Sequence, residues 1–314
     1  MKRLINKKIY QSIFVLVTPL VVIFSVYFYS LNQNIQSNSN NEINYEVAFI
    51  EESIPRRVNF FDGLNLTANS VIVKNLNTGK ILYEKNSEIS APLASVTKLM
   101  TALVLYENFE NLDKEVVVTD EVFTVHGNTS IRFGEIFTLQ DLITMMLINS
   151  SNQSAVAASR FFETVYGLET FIPEMNSLAR SIGMNNTYFL NETGLDENIN
   201  TAGSFGSARD IVLLLEYIIK NYPEMAEITT KDHIRLHSKT GFIHDIRNTN
   251  HVISNLPTLL LSKTGFTELA GGNLVIIKDV GLNNPIAIVV LGSSREGRFN
   301  DTLSLLEAIN KNNQ

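Results

Sequence analysis

The sequence predicts an α/β protein of the segregated α+β kind. One antiparallel sheet of about five strands is expected from the two ends of the folded region, flanked by helices, with a mostly helical insert between the ends. Three observations predict it. Residues 70–85 (SVIVKNLNTGKILYEK) form two β-rich runs around an Asn-Thr-Gly turn. Residues 258–266, 273–280 and 286–294 (TLLLSKTGF, NLVIIKDV, IAIVVLGSS) are three more strand-like runs. Between the two groups lie helical patterns, so strands open and close the domain.

In chain order, residues 1–11 carry Lys2, Arg3, Lys7 and Lys8 and no acid. Residues 13–29 (IFVLVTPLVVIFSVYFY) are apolar and as a helix span roughly 26 Å, the thickness of a hydrocarbon core. The exit, YFYSLNQN, has no small-x-small cleavage pair. Basic residues lie only before the run, which holds the amino terminus in the cytoplasm. The expectation is a cytoplasmic basic tail (1–11), a transmembrane signal-anchor (12–30) and an outward-facing remainder. Residues 31–44 are rich in Asn, Gln and Ser, so 31–65 reads as a polar tether. The folded domain is expected over 66–314.

After the hairpin, helices are expected at residues 96–108, over 138–163 with an interruption at INSSNQS, at 207–221, and from about 300 to 311. Ser207 precedes the third of these as a cap.

Charge and composition exclude several functions. Lys plus Arg is 25 against 32 Asp plus Glu, a net charge of −7, and beyond the anchor it falls to −11. Without a basic field, binding nucleic acid through its phosphates is excluded. Cysteine is absent, which removes thiol nucleophiles, disulfides and Cys-ligated zinc.

Three short motifs carry chemistry. Ser95-Val96-Thr97-Lys98 places a hydroxyl and an amine one helical turn apart on one face. A serine needs a base to become a nucleophile, and a buried lysine beside another cation can be neutral enough to serve. Ser150-Ser151-Asn152 breaks a helical region and offers a hydroxyl for proton relay and an amide for a substrate backbone. Lys263-Thr264-Gly265 closes an apolar strand with a cation, a hydroxyl and a residue permitting close approach. Ser-Lys-Thr-Gly-Phe also occurs at 238–242, but only the second copy leads into further strands. The first is followed by HDIRNTN, a loop composition, so Lys263 is expected to be the functional lysine and Lys239 a surface one.

In this order the three motifs resemble the serine-type D-alanyl-D-alanine carboxypeptidases, the low-molecular-mass penicillin-binding proteins of the penicillin-binding protein and serine β-lactamase superfamily. The resemblance covers roughly residues 66–312. It includes residues 77–86 (NTGKILYEKN), Pro92-Leu93-Ala94-Ser95, Thr193-Gly194-Leu195-Asp196, Ser207-Ala208-Arg209-Asp210 and Ala270-Gly271-Gly272-Asn273-Leu274-Val275.

The resemblance implies a β-lactamase/transpeptidase-like fold and an acyl-enzyme mechanism. Ser95 is the implied nucleophile, Lys98 its base, and Ser150 a proton-path residue. Asn152, Lys263, Thr264, Gly265 and Phe266 bind substrate, with the oxyanion between the N–H groups of Ser95 and Phe266. Arg298 is the implied partner of the terminal carboxylate, with Arg295 the alternative. The implied partners are peptidoglycan stem peptides ending in D-Ala-D-Ala and β-lactams, with the membrane engaged through the amino-terminal helix. No cofactor or metal is implied. Many relatives carry a second β-rich domain and a carboxy-terminal amphipathic anchor that this sequence does not contain.

Other readings differ in cleft shape or in one residue. A D,D-endopeptidase uses the same residues. A serine β-lactamase needs a group to activate water, for which Glu192 is the candidate by region. A penicillin- or muropeptide-binding sensor needs no catalysis, although all catalytic positions are filled. His233, His237, His244 and His251 cluster in sequence, yet lack the carboxylates and helix of a metal peptidase.

Overall fold

The computed structural model describes residues 25–30, 60–125 and 131–312. The chain divides into two units, Met1–Arg57 and Val58–Gln314, and every element labelled below belongs to the second. Most of the anchor expected over 12–30 and of the tether over 31–65 lies outside the described residues. Residues 25–30 are helical, and among the described residues no helix is long and apolar enough to cross a membrane.

The first hairpin joins β1 (Ser70–Asn75) to β2 (Ile81–Lys85). Its turn forms because the Asn75 carboxamide accepts the N–H groups of Asn77 and Thr78 while Gly79 takes φ +71°. The chain then crosses β3 (Ala91–Pro92) and enters α1 (Thr97–Asn108). Residues Thr97 to Leu105 of α1 are all buried, which fits a helix apolar on every side.

The insert follows: β4 (Glu115–Val117), β5 (Ile136–Thr138), α2 (Leu139–Ile148), α3 (Asn152–Tyr166), α4 (Phe171–Ser181), β6 (Tyr188–Phe189), β7 (Ser204–Gly206), α5 (Ala208–Asn221), α6 (Pro223–Ile228), β8 (His233–His237) and β9 (Ile243–Arg247). Thr138 and Asp141 form a reciprocal capping box at α2, and Ser151 and Ser207 cap α3 and α5. The insert is less purely helical than expected. It carries β4–β5, β8–β9 and the three-stranded β3-β7-β6. These strands have two to five residues, too short for a periodicity to register.

The chain returns through β10 (Leu259–Thr267), β11 (Gly271–Asp279) and β12 (Pro285–Ser293), then ends in α7 (Gly297–Asn312). The main sheet runs β10-β11-β12-β1-β2, antiparallel throughout, so the two ends of the domain meet at β12–β1. This is the expected architecture. Its inner strands are apolar at nearly every position because both faces are covered. Ile72, Val275 and Val289 face the helical insert; Val71, Leu274 and Val290 face α7.

Helix α7 starts three residues before its expected boundary. The Ser294 hydroxyl accepts the Gly297 N–H at 2.8 Å and so organises the first turn. Asp301 on this helix accepts from Thr67 N, Thr67 Oγ1, Ala68 N and Ser293 Oγ, tying the entry of the domain to its exit.

Candidate active site

Ser95 sits in a tight turn before α1, after Ala94 at φ +48°. A non-glycine residue in this region is strained unless its surroundings hold it. The buried carboxamide of Asn273 on β11 donates to the carbonyls of Pro92 and Leu93, and Thr97 Oγ1 donates to Ala94 O at 2.7 Å. Gly265 on β10 packs directly on the turn, where a Cβ would lie 2.9 Å from Leu93 O and 3.1 Å from Ser95 N. The edge strand β10 therefore runs alongside the Ser95 turn.

One helical turn onward, Lys98 is fully buried. Its Nζ lies 3.0 Å from Ser95 Oγ, 2.7 Å from Asn152 Oδ1 and 2.6 Å from Thr193 O. Three acceptors surround Nζ, one for each N–H of an ammonium; in a neutral amine two N–H groups can stay on the carbonyl oxygens while the lone pair accepts from the serine hydroxyl. Burial lowers the Lys98 pKa to about 7, against a partial rise from the Glu192 carboxylate.

The break between α2 and α3 presents Ser150 at φ +61° and, with Ser151 as cap, opens α3 at Asn152. Lys263 Nζ on β10 donates to Ser150 Oγ at 2.8 Å and to Thr264 O at 3.0 Å. Lys263 is also buried. Burial, and then the charges of Lys98 and Arg298, push its pKa well below the ordinary lysine value. Two lysine–serine pairs thus lie close enough for the Lys98 charge to act on Lys263, one carried by the Ser95 turn and α1, the other by the α2–α3 break and the edge strand.

Thr264 Oγ1 lies 2.6 Å from Thr249 Oγ1. Arg298 on α7 is buried and donates from Nη1 to Gly265 O at 2.6 Å, while its Nε–H has no partner. Burial and the nearby Arg295 charge lower its pKa to about 10, partly opposed by Glu296. Arg295 is exposed, its guanidinium 3.8 Å above the Phe266 ring. Of the two arginines, Arg298 is the one bonded to the strand carrying Lys263.

Several partners were not singled out from the sequence. Thr193 and Asn273 lie inside stretches that carried the family resemblance, so a signal existed without a role. The Asn191 carboxamide oxygen accepts from Thr193 N, Thr193 Oγ1 and Gly194 N, shaping the loop that offers Thr193 O to Lys98. Gly194 has φ +73°, and a Cβ there would fall 1.9 Å from Ala94 O, so this loop presses on the turn before Ser95. Thr249 had no signal beyond a polar loop.

Other candidates lie elsewhere. Lys239 is exposed in the β8–β9 turn. Three of the histidines, His233, His237 and His244, share the β8–β9 hairpin, but their partners differ: His233 approaches Asp245, His244 Nε2 meets the buried Glu135 at 2.9 Å, and His251, beyond the hairpin, approaches Glu296. Among the described residues no group of three or more could hold a metal ion. Glu192 presents its backbone carbonyl to Thr101 Oγ1 at 2.7 Å.

Comparison with known proteins identifies the family and the fold. The family described as D-alanyl-D-alanine carboxypeptidase matches residues 58–295. The D-alanyl-D-alanine endopeptidase of Escherichia coli is 32% identical over 233 residues, covering 72% of this chain and 71% of that protein. The D-alanyl-D-alanine carboxypeptidase DacF of Bacillus subtilis is 30% identical over 250 residues, covering 76% and 61%. Among solved structures, penicillin-binding protein D2 from Listeria monocytogenes in its ampicillin-bound form is 29% identical. It superposes with a TM-score of 0.66 over 78% of this chain and 98% of that one. On the fold, the two lysine–serine pairs and these matches, the chain belongs to the serine-type D-alanyl-D-alanine carboxypeptidase family of hydrolases.

Proposed function

We propose that this chain is a D,D-carboxypeptidase that removes the terminal D-Ala from peptidoglycan stem peptides through a Ser95 acyl-enzyme. The observation that carries the reading is the buried Lys98 amine 3.0 Å from Ser95 Oγ, with its pKa lowered to about 7. Lys98 takes the hydroxyl proton as Oγ attacks the carbonyl carbon of the penultimate D-Ala. The N–H groups of Ser95 and Phe266 receive the oxyanion. The C–N bond then breaks, and the leaving amine takes its proton by way of Lys98 and Ser150. Water hydrolyses the ester and returns the proton to Ser95. β-Lactams acylate the same hydroxyl.

Lys263, Thr264 and Arg298 receive the substrate's terminal carboxylate, and Asn152 holds its backbone. The two lysines then divide their roles. A carboxylate beside Lys263 stabilises the ammonium there, and that charge in turn favours a neutral Lys98. Substrate binding thus sets the protonation pattern that acylation requires.

A second reading, cleavage of D,D-cross-links, has specific support. The relatives from Escherichia coli and Pseudomonas aeruginosa, at 32% and 33% identity, are both called endopeptidases. The residues are the same, and the two readings differ in whether the cleft admits a second peptide beyond the scissile bond.

The family acts on the cell wall, outside the cytoplasm. The apolar run at 13–29 supports anchoring by residues 12–30, with 31–65 as tether and 66–314 as the peptidase domain. Fractionation of the full chain should place it in membranes; a soluble, shortened species would overturn the anchor.

The deciding experiment is intact-protein mass spectrometry after penicillin, on the parent and on Ser95→Ala. D-Ala release from a stem pentapeptide and cleavage of a cross-linked dimer are assayed beside it. An adduct on the parent alone with D-Ala release supports the first reading. An adduct with dimer cleavage alone supports the second. No adduct on the parent refutes both.

A further inference from the structure

The tripeptide Asn248-Thr249-Asn250, a polar loop by sequence, is bonded in place beside Thr264. Asn248 Nδ2 donates to the carbonyls of Thr229 and Lys231, and its Oδ1 accepts from Asn250 N. Asn250 Nδ2 donates to Ser262 Oγ on β10 at 2.8 Å. Thr249 N donates to Ile148 O, at the end of α2 just before the Ser150 turn. The backbone of Thr249 is therefore pinned on both sides, to β10 and to the segment carrying Ser150. Its half-buried side chain places Oγ1 2.6 Å from Thr264 Oγ1.

At that distance one hydroxyl donates to the other, and the direction matters. A hydroxyl has one proton. If Thr264 donates to Thr249, its proton is turned away from the cleft. If Thr249 donates, the Thr264 proton is available to an anion, and the acceptor role of Thr264 Oγ1 polarises it further. A carboxylate accepts only, so its arrival selects the second direction.

We propose that Thr249 is a positioning residue for the substrate carboxylate: it donates to Thr264 Oγ1 and so commits the Thr264 proton to the bound anion. The proposal rests on the reading that Thr264 binds that carboxylate. Thr249 itself touches neither the substrate nor the reacting atoms. Its contribution falls on recognition of the anion and not on the chemistry of Ser95.

The test uses acylation of the full chain by benzylpenicillin, whose carboxylate takes the place of the peptide's, and by its methyl ester. The dissociation constant and the acylation rate constant are measured separately. The parent is expected to favour the free acid. Thr249→Val keeps the shape and removes the hydroxyl. It should weaken binding of the free acid by about five- to tenfold, the loss of one hydrogen bond in a chain ending on a charge. The acylation rate constant and the reaction with the ester should hold within about twofold. Thr249→Ser should restore the preference for the acid.

An equal loss on acid and ester, an unchanged preference in Thr249→Val, or no rescue by serine overturns the proposal. A parent that does not distinguish acid from ester refutes the carboxylate reading of Thr264, and the proposal with it. A preserved preference in Thr249→Val refutes the proposal alone.

Discussion

Acylation of Ser95 should rise with pH through a midpoint near 7, the titration of Lys98. The perturbation is proton concentration alone. A base must be neutral to accept the serine proton, so the rate follows the neutral fraction of Lys98. Burial brings its pKa from 10.5 to about 7. At neutral pH about half of Lys98 is then unprotonated, against about one part in 3,000 for an ordinary lysine. The structure thus raises the reactive fraction about 1,500-fold, equivalent to about 4 kcal/mol at 1.36 kcal/mol per pK unit. The assay is stopped-flow acylation by a fluorescent penicillin between about pH 5.5 and 9.5. The expected ascending limb has unit slope below pH 7 and levels above it. An ascending limb centred above about pH 9, near an ordinary lysine, would refute the assignment of Lys98 as a buried neutral base.

Three further outcomes follow from the same geometry. Glu192→Gln removes the carboxylate that raises the Lys98 pKa, so the ascending limb should move to lower pH; an unmoved limb would remove Glu192 from the electrostatics of the site. Gly265→Ala puts a methyl group 2.9 Å from Leu93 O and 3.1 Å from Ser95 N. It should slow acylation by about a hundredfold through displacement of the Ser95 turn; an unchanged rate would refute the packing of β10 on that turn. Asp301→Ala breaks four hydrogen bonds, none of them to Ser95, Lys98, Ser150 or Lys263, and should lower the unfolding free energy by about 2–4 kcal/mol in urea titrations, while the acylation rate of the folded protein is kept.

The legible part of this protein was local. Ser95 and Lys98 share a helix face because the chain makes one turn between them. Strands β1, β10, β11 and β12 stood out as apolar runs, which buried sheet faces require, and β2 by the Asn-Thr-Gly turn that joins it to β1. Ser207 marked the start of α5 by cap chemistry alone. The two- and three-residue strands of the insert did not stand out, since their pairing partners rather than their own pattern make them strands.

The rest depended on contacts between distant segments. Sequence could rank the two Ser-Lys-Thr-Gly-Phe copies only by context; the fold puts Lys263 on an edge strand and in contact with Ser150, 113 residues away, and Lys239 in an exposed turn. Arg298 and Arg295 are near-equivalents on paper, but the start of α7 buries one against Gly265 O and leaves the other stacked on Phe266. Thr249 became visible only when the β9–β10 connection was pinned beside Thr264. By itself the sequence determined that Ser95 and Lys98 share a helix face, which strands could form a sheet and which family its motif order resembles, because spacing, apolar runs and short motifs are properties of neighbouring residues. Only the tertiary structure decided the reactivity of Lys98, because its lowered pKa comes from desolvation, and desolvation is imposed by residues that the chain brings together from far apart.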